Sequence, residues 1–287
     1  MKSPRILEGY RKSTFLFFMV LFALIIVILV LQHNGRWFGR EWIAAQTSNP
    51  KEMIVIFGAS SLVDPFQELS QVYEAGGERK VQFNFAGSQQ LAQQIKSGAQ
   101  ADVYASANLK TMDELVEAGW IDPQSVRIFA CNRLVVIYPK SNPAGLEKLA
   151  DLARPGVKII LAAAEVPVGA YSLEFFSKAQ QAAEFGSDYQ QAVMKNVVSY
   201  ETNVKAVVSK IRLGEGDAGI VYQSDLTGLA NEVGILEIPE ELNVIAQYPI
   251  GILTTGQNRD QAAEWIHFLL SEQGNTILQK YHFSPCK

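Results

Sequence analysis

From Lys51 onward, short apolar runs alternate with amphipathic segments, and this alternation constrains the fold more than any other feature of the chain. The apolar runs are rich in β-branched and aromatic residues, as buried strands are, and include MIVIFGA, VQFNFAG and VKIILAAA. The segments between them carry apolar residues at helical spacing. Strands that alternate with helices are typical of parallel, doubly wound α/β sheets.

Two extended runs predict that this region forms two lobes between which the chain passes twice. Arg127–Pro139 is a long strand-like run, and Asn243–Leu253 is a second candidate connector. The 287 residues are enough for two domains of ordinary size. We therefore predict an α/β protein of two doubly wound lobes joined by two crossover strands. Lobe 1 would comprise residues 51–131 and about 250–287, and lobe 2 residues 132 to about 249.

The amino-terminal residues stand apart from the α/β pattern. Residues 1–13 form a basic segment, and an uninterrupted apolar run follows from Thr14 to Leu31. A run of about 18 residues is long enough to cross a bilayer as a helix. The basic flank predicts that the chain after it lies outside the cytoplasm, beyond a linker over residues 32–50. We expect an uncleaved signal anchor or a cleaved signal peptide, and a wholly cytoplasmic protein fits this pattern least.

Composition excludes several classes of function. The net charge of −4 and the sequence pI of about 5.5 argue against a protein that binds nucleic acid. The two cysteines, Cys131 and Cys286, are far apart and lack the spacing of a zinc site. Outside the cytoplasm they could form one disulfide or remain two unpaired thiols, and the sequence leaves both alternatives open.

Four strand-to-helix turns offer hydroxyl groups or unpaired backbone N–H groups. In open α/β sheets, ligands bind beyond the carboxyl ends of the strands. Helix amino termini present N–H groups and the positive end of the helix dipole there, and hydroxyls add further donors. Such donors together are typical of a site for an oxyanion. The turns lie at Ser60–Ser61, Gly87–Ser88, Gly169 and Thr202–Asn203.

Each of these residues also has a purely structural interpretation. Serine is an ordinary N-cap, and both Ser61 and Ser88 stand where a helix should begin. Asp64, three residues after Ser61, resembles the acidic partner of a capping box. Gly169 is typical of a turn, and Tyr222 is typical of a buried ring with one satisfied hydroxyl. These patterns predict a two-lobed α/β protein in which an anion site and a set of helix caps remain alternatives.

Catalysis has little support in the sequence. The only three histidines, His33, His267 and His282, lie far along the chain from the serine turns. The chain contains no nucleophile elbow, no phosphate-binding P-loop and no dinucleotide fingerprint after a strand. Asp102, at the start of a predicted strand, is expected to be structural. We therefore predict that the protein is not an enzyme.

Five segments occur in a fixed order along the chain: FGASSL, FAGSQQLAQQIKSGAQADVYASAN, NRLVVIYP, VPVGAYS and GDAGIVYQSD. Together they resemble the periplasmic molybdate-binding proteins of ABC importers, a branch of the type II solute-binding proteins. The resemblance covers nearly everything from Met53 to the end. It implies a monomer outside the cytoplasm that binds molybdate or tungstate between its lobes, uses no cofactor, and delivers the anion to an ABC permease in the membrane.

The resemblance also implies which residues bind the anion. The family holds a tetrahedral dianion with neutral donors and no counter-charge, so no residue would contact the metal directly. Ser61 and Ser88 would each give a hydroxyl and a backbone N–H, and Tyr222 would give its phenol. Val168 and Val204 would each give a backbone N–H.

Two other functions remain as alternatives. Sulfate, like molybdate, is a dianion that only accepts hydrogen bonds, so the size of the cavity alone can separate them. A phosphate that carries a proton would need a buried carboxylate acceptor, and the five positions supply none. A membrane-anchored enzyme or sensor could use the same two lobes, but the chain shows neither a convincing catalytic set nor an output domain.

Overall fold

The computed structural model describes residues 53–77 and 79–286. Ten β-strands occur in these ranges: β1 (Met53–Ala59), β2 (Lys80–Ala86), β3 (Val103–Ala105), β4 (Arg127–Asn132), β5 (Leu134–Pro139), β6 (Ile159–Ala162), β7 (Val197–Glu201), β8 (Ala218–Tyr222), β9 (Val233–Glu237) and β10 (Ala246–Ile252). Eight α-helices accompany them: α1 (Val63–Ala75), α2 (Ser88–Lys96), α3 (Leu109–Glu117), α4 (Pro167–Ala179), α5 (Tyr189–Lys195), α6 (Val204–Arg212), α7 (Arg259–Leu269) and α8 (Glu272–Lys280).

The strands form two five-stranded sheets, so the predicted two-lobed α/β architecture is confirmed. The first sheet, with order β2-β1-β3-β10-β4, is the centre of lobe 1. The second sheet, with order β7-β6-β8-β5-β9, is the centre of lobe 2.

The prediction of parallel sheets was correct only in part, because each sheet also contains antiparallel pairs. Strands β1, β2 and β3 run parallel, as do β6, β7 and β8, whereas β10 and β5 run against their neighbours. The antiparallel direction of β5 and β10 follows from the path of the chain between the lobes. The parallel strands end at the edge that faces the other lobe, and a strand that enters from that lobe must begin at this edge.

Continuous crossover strands were predicted between the lobes, but the structure does not contain them. The run Arg127–Pro139 is divided into β4 and β5 at Arg133, whose N–H donates to the Asn132 side chain (2.9 Å). The return passage lies between β9 and β10, and β10 joins the first sheet from Ala246, a few residues before the predicted boundary near residue 249. The Asn243 side chain binds both the N–H and the C=O of Leu134, at 3.0 and 2.9 Å, and so ties the two passages together.

Apolar side chains cover both faces of the first sheet. Phe66 of α1 lies on one face, within 6.0 Å of the Phe83 and Trp265 rings, centroid to centroid. Leu91 of α2 and Leu115 of α3 are fully buried on the other face. This double layer fixes where each strand ends, and therefore where the turns of the candidate site lie.

In lobe 2, a close approach positions helix α6 on its sheet. A Cβ added to Gly219 of β8 would lie 2.8 Å from a methyl carbon of Val207, closer than real contacts allow. Val207 and Ile211 of α6 are fully buried. The glycine therefore lets α6 lie directly on β8, with the amino terminus of α6 next to the end of that strand.

The structure resolves the alternative for the two cysteines. Cys131 and Cys286 form a disulfide, with their Cα atoms 5.1 Å apart. Cys131 also exchanges two backbone hydrogen bonds with Ser284, at 2.7 and 2.9 Å. The carboxyl-terminal segment is thus attached to β4, two residues before Arg133, where the chain passes to lobe 2.

The basic segment at residues 1–13, the apolar run from Thr14 to Leu31 and the linker at 32–50 lie outside the described residues. Within the described ranges, none of the helices combines the length and the apolar character that a membrane crossing requires.

Candidate functional site

A small cavity of about 10 Å³, measured as the space open to the centre of a water-sized sphere, lies where the strand ends of the two lobes meet. Its lining includes all five residues that the sequence analysis assigned to the anion site: Ser61, Ser88, Val168, Val204 and Tyr222. Two larger cavities, of about 540 and 450 Å³ by the same measure, are each lined from within one lobe, away from these strand ends. The small cavity is therefore the only one of the three that matches the predicted donors.

The structure corrects the predicted cap at Ser61. A short 3₁₀ helix, Ser60–Leu62, precedes α1, and no side chain caps it. The Ser61 hydroxyl instead lies 2.9 Å from the Tyr248 hydroxyl. The Asn132 amide donates weakly to the same Tyr248 oxygen, at 3.5 Å. If Tyr248 in turn donates to Ser61, the Ser61 proton is left to point into the cavity.

Ser88 is likewise not the N-cap of its helix. Gly87 takes that position, and its N–H donates to the Gln90 side chain (3.1 Å), so Ser88 is the first helical residue. The Ser88 hydroxyl oxygen accepts the N–H of Ala107 at 3.0 Å. Because this bond uses a lone pair and not the proton, Ser88 can still donate into the cavity.

A buried phenol holds the backbone at Ser88. The Tyr104 hydroxyl lies 2.9 Å from the Ser88 carbonyl oxygen and donates to it. Burial raises the pKa of Tyr104 to about 12, so its proton remains in place at neutral pH. Both the hydroxyl and the main chain of Ser88 are therefore positioned by lobe 1 itself.

Lobe 2 presents two helix amino termini to the cavity. Helix α4 begins at Pro167, and Val168 follows in its first turn. Helix α6 begins at Val204, and Asn203 caps it by accepting the Ala206 N–H (3.0 Å), as was predicted for Thr202 or Asn203. First-turn N–H groups have no acceptor within their own helix, so Val168 and Val204 can donate to a ligand.

Gly169 has a packing role in the first turn of α4. A Cβ at this position would lie 2.1 Å from the Ala163 carbonyl oxygen. Glycine therefore lets the start of α4 lie directly against the chain that leaves β6, and this contact sets the height of the Val168 N–H above the sheet.

Tyr222 at the end of β8 is the most informative residue of the site. Its side chain is only 1% exposed, and its hydroxyl has no hydrogen-bond partner in the described part of the chain. The ring packs edge-on against Tyr248, with the centroids 5.8 Å apart. Burial raises the pKa of Tyr222 well above its usual value, so the phenol keeps its proton. A buried donor without an acceptor is costly unless a ligand supplies one.

Within the described residues, no charged side chain lines the cavity. Lys205 follows Val204 directly, but its ammonium pairs with carboxylate oxygens of Asp64 and Asp225, at 2.6 and 3.4 Å. Among residues 53–77 and 79–286, no cluster of histidine, cysteine or acidic residues could hold a metal ion. The described lining therefore offers hydroxyl and backbone N–H donors and carries no charge.

The residues that orient these donors were not predicted from the sequence. Tyr248 lies 187 positions from Ser61, and Ala107 is an unremarkable residue after β3. The one sequence signal for Tyr248 was its position in the second predicted connector, Asn243–Leu253. A connector must pass the cleft between the lobes, where the site lies. For Asp102, the structural interpretation was correct, because its carboxylate accepts the N–H groups of Val55 and Asn258, at 2.9 and 3.0 Å.

Comparison with known sequences identifies relatives over nearly all of the described region. The model of the family described as bacterial extracellular solute-binding protein matches residues 54–284. Molybdate-binding protein ModA of Mycobacterium tuberculosis is 32% identical over 232 residues, which cover 80% of this chain and 84% of the relative. A putative ABC transporter substrate-binding lipoprotein of Bacillus subtilis, YvgL, is 29% identical and covers 83% and 88% of the two chains. A sulfate-binding protein of Escherichia coli is 23% identical and covers 86% and 84%.

Solved structures share the fold. The substrate-binding domain of a putative molybdenum ABC transporter from Clostridium difficile is 26% identical, with a TM-score of 0.62, over 82% of this chain and 99% of that domain. The periplasmic molybdate-binding protein of Azotobacter vinelandii has a TM-score of 0.71 at 16% identity, over 82% and 100% of the two chains, and this likeness concerns the fold alone. With the family match extending from the first strand to the disulfide-linked tail, the chain belongs to the bacterial extracellular solute-binding proteins.

Proposed function

We propose that this protein is the extracytoplasmic substrate-binding component of an ABC importer, and that it captures molybdate, and also tungstate, between its two lobes. The observation that carries the proposal is the Tyr222 hydroxyl, which is buried at the cavity without a partner in the described chain. The names of the relatives that are about 30% identical support the choice of a molybdenum oxyanion and of an importer.

The cavity suits a ligand that only accepts hydrogen bonds. Molybdate is fully deprotonated at neutral pH, so each of its oxygens is an acceptor. We assign hydroxyl donors to Ser61, Ser88 and Tyr222, and backbone N–H donors to Val168 and Val204. A protonated phosphate would need a carboxylate acceptor, and the lining contains none among the described residues.

Burial of a dianion without a cation is expensive in free energy, and several bonds must offset the loss of hydration. Hydrogen bonds to a charged group contribute about 1.5–3 kcal/mol each. The proposed donors come from both lobes, so they reach the anion together only when the lobes close. Binding is thereby coupled to a hinge motion at Arg133 and in the passage between β9 and β10.

Several finer features belong to the same proposal. We assign the two sheets to the type II class of periplasmic binding proteins, and we expect the closed monomer to dock on a membrane permease. We also propose that the apolar run Thr14–Leu31 delivers or anchors the protein at the outer face of the membrane. The disulfide supports an extracytoplasmic location, because such bonds persist in oxidising compartments.

Sulfate is the second candidate ligand. It shares the acceptor-only chemistry of molybdate, and a sulfate-binding protein is among the more distant relatives. The two anions differ in size, and the cavity is small enough for size to matter. Direct comparison of the two anions is therefore the decisive test of specificity.

Thermal unfolding of the full chain, purified in a mild detergent because of its apolar run, tests the proposal. A ligand at 100 times its Kd adds roughly 2.7 kcal/mol to the free energy of unfolding. We expect a clear rise in the midpoint with molybdate and tungstate and little change with sulfate or phosphate. A shift with sulfate alone would change the substrate, and no shift with any of the four anions would contradict the proposed function.

A further inference from the structure

Beside the cavity, an ion pair connects the two lobes. The Lys205 ammonium, in the first turn of α6 in lobe 2, lies 2.6 Å from the Asp64 carboxylate, in the first turn of α1 in lobe 1. The residues are 141 positions apart in the chain. The Lys205 side chain is 30% exposed and that of Asp64 is 43% exposed, so the pair lies at the mouth of the cleft.

A second carboxylate holds Lys205 in place from within lobe 2. The Asp225 side chain is completely buried, and its Oδ1 lies 3.4 Å from the Lys205 ammonium. Its Oδ2 accepts the backbone N–H of Tyr222 at 3.2 Å. Lys205 thus has a partner in its own lobe whether the cleft is open or closed, whereas its bond to Asp64 requires the closed arrangement.

A further contact lies on the other side of the α6 amino terminus. The Gln89 amide of lobe 1 donates to the Thr202 carbonyl of lobe 2 at 3.1 Å. A Cβ added to the neighbouring Gly87 would lie 2.5 Å from the same carbonyl oxygen, so the main chains of the two lobes approach closely here. Lobe 1 therefore contacts the segment from Thr202 to Lys205 at both ends, and the Val204 N–H lies between these two contacts.

We propose that Asp64 and Lys205 form an interlobe latch that holds the cleft closed and slows release of the bound anion. Asp64 is a positioning residue in this scheme, because it touches the other lobe and not the ligand. The inference rests on the proposed function for the identity of the ligand, but the latch itself is a property of the two lobes.

Simple electrostatics predicts the opposite effect of removing Asp64. Asp64, Lys205 and Asp225 together carry one net negative charge, which disfavours a dianion nearby. If charge alone mattered, Asp64→Asn would leave Lys205 more positive and would tighten binding. If the latch matters more, the same change weakens binding through faster release. The sign of the change therefore separates the two effects.

The kinetic test compares Asp64→Asn with Glu68→Gln in the full chain. Glu68 lies on the same helix and makes an ion pair of the same length, 2.6 Å, but with Lys280 of its own lobe. Stopped-flow fluorescence would measure the rates of molybdate association and release in each variant. A pair of this exposure is worth up to about 1 kcal/mol, which corresponds to about fivefold faster release in Asp64→Asn.

The association rate should change less than the release rate, Asp64→Glu should recover part of the loss, and Glu68→Gln should behave like the parent. Release that is unchanged or slower in Asp64→Asn would overturn the latch. Equal acceleration in Glu68→Gln would also overturn it, because the effect would then reflect helix α1 and not the contact between lobes.

A ligand-independent measurement separates failure of the latch from failure of the proposed function. Both natural cysteines are in the disulfide, so Lys110→Cys on lobe 1 and Lys195→Cys on lobe 2 provide exposed labelling sites. The distances between the two spin labels, measured by a pulsed method without added anion, should become longer in Asp64→Asn and not in Glu68→Gln. An unchanged distribution would overturn the latch, whether or not the parent protein binds molybdate.

Discussion

The two halves of the candidate site are prepared for a ligand in different ways. In lobe 1, both serine hydroxyls have partners within the protein: Ser61 lies against Tyr248, and Ser88 accepts the Ala107 N–H. In lobe 2, the Tyr222 hydroxyl is buried without a partner in the described chain, and the other proposed donors are helix N–H groups.

This difference predicts that changes in the two lobes affect stability and binding differently. Lobe 1 holds its donors in place before any ligand arrives, so a change there should affect both stability and binding. Lobe 2 carries an unsatisfied group that only a ligand in the closed cleft can satisfy. A change there should affect binding alone, and the variants below test this contrast.

The disulfide joins two segments of lobe 1, and its removal is expected to have the largest effect on stability. Cys286→Ser, or reduction of the wild-type protein, should lower the free energy of unfolding by ~2–4 kcal/mol, because the bond closes a long loop in the unfolded chain. Chemical denaturation with and without reductant measures this loss. Molybdate affinity of the folded protein should stay nearly the same, and a matching collapse of affinity would show that lobe 1 depends on its tail for the site.

Ser88→Ala should reduce both binding and stability. Loss of a hydroxyl that donates to a dianion should weaken molybdate binding about 10- to 100-fold, which corresponds to ~1.5–3 kcal/mol. The Ala107 N–H also loses its acceptor, so the unliganded protein should lose about 1 kcal/mol of stability. Calorimetric titration and denaturation measure the two losses, with half-buried Ser70→Ala, remote from the cavity, as the control. Unchanged stability would mean that the Ala107 N–H finds another acceptor.

Tyr222→Phe should reduce binding without reducing stability. We expect about a 10- to 100-fold loss of molybdate affinity, because one bond to the charged ligand disappears. The unliganded protein should be as stable as the parent or more so, since the removed hydroxyl had no partner in the described chain. The same two measurements apply. A loss of stability equal to that of Ser88→Ala would remove the contrast between the lobes.

Tyr248→Phe should give the smallest effect. The Ser61 hydroxyl would keep its place at the cavity but lose the neighbour that orients it. A neutral hydrogen bond of this kind is worth about 0.5–1.5 kcal/mol, so affinity should fall by roughly three- to tenfold. Calorimetric titration of the variant beside Ser61→Ala measures the loss. An effect larger than that of Ser61→Ala would mean that Tyr248 acts on the ligand by another route.

The features that the sequence predicted correctly depend on local pattern. Alternating strands and helices indicated two α/β lobes, and the rule that ligands lie beyond strand ends brought attention to the turns at Ser61 and Ser88. The exact cap positions were wrong by one residue or more, because a 3₁₀ turn precedes α1 and Gly87 precedes α2. Local propensity is nearly the same for these alternatives, and packing decides between them.

The features that were missed depend on residues far apart in the chain. Tyr248 reaches Ser61 across 187 positions, and Lys205 reaches Asp64 across 141. The pairing of Cys131 with Cys286, which the sequence left open as one of two alternatives, spans 155. The antiparallel direction of β5 and β10 follows from the path of the chain between lobes, which residue patterns do not record. Contacts of this kind are set by the assembled fold.

The most direct test is the position of bound molybdate in a crystal of the protein. Anomalous diffraction at the molybdenum absorption edge would locate the metal without reference to any assumed site. We expect a single strong peak in the cavity between the lobes, with oxyanion oxygens about 2.7–3.2 Å from the hydroxyls of Ser88 and Tyr222 and from the N–H groups of Val168 and Val204. A peak elsewhere on the protein, or an anion in the cavity that leaves the Tyr222 hydroxyl unpaired, would contradict the proposed site.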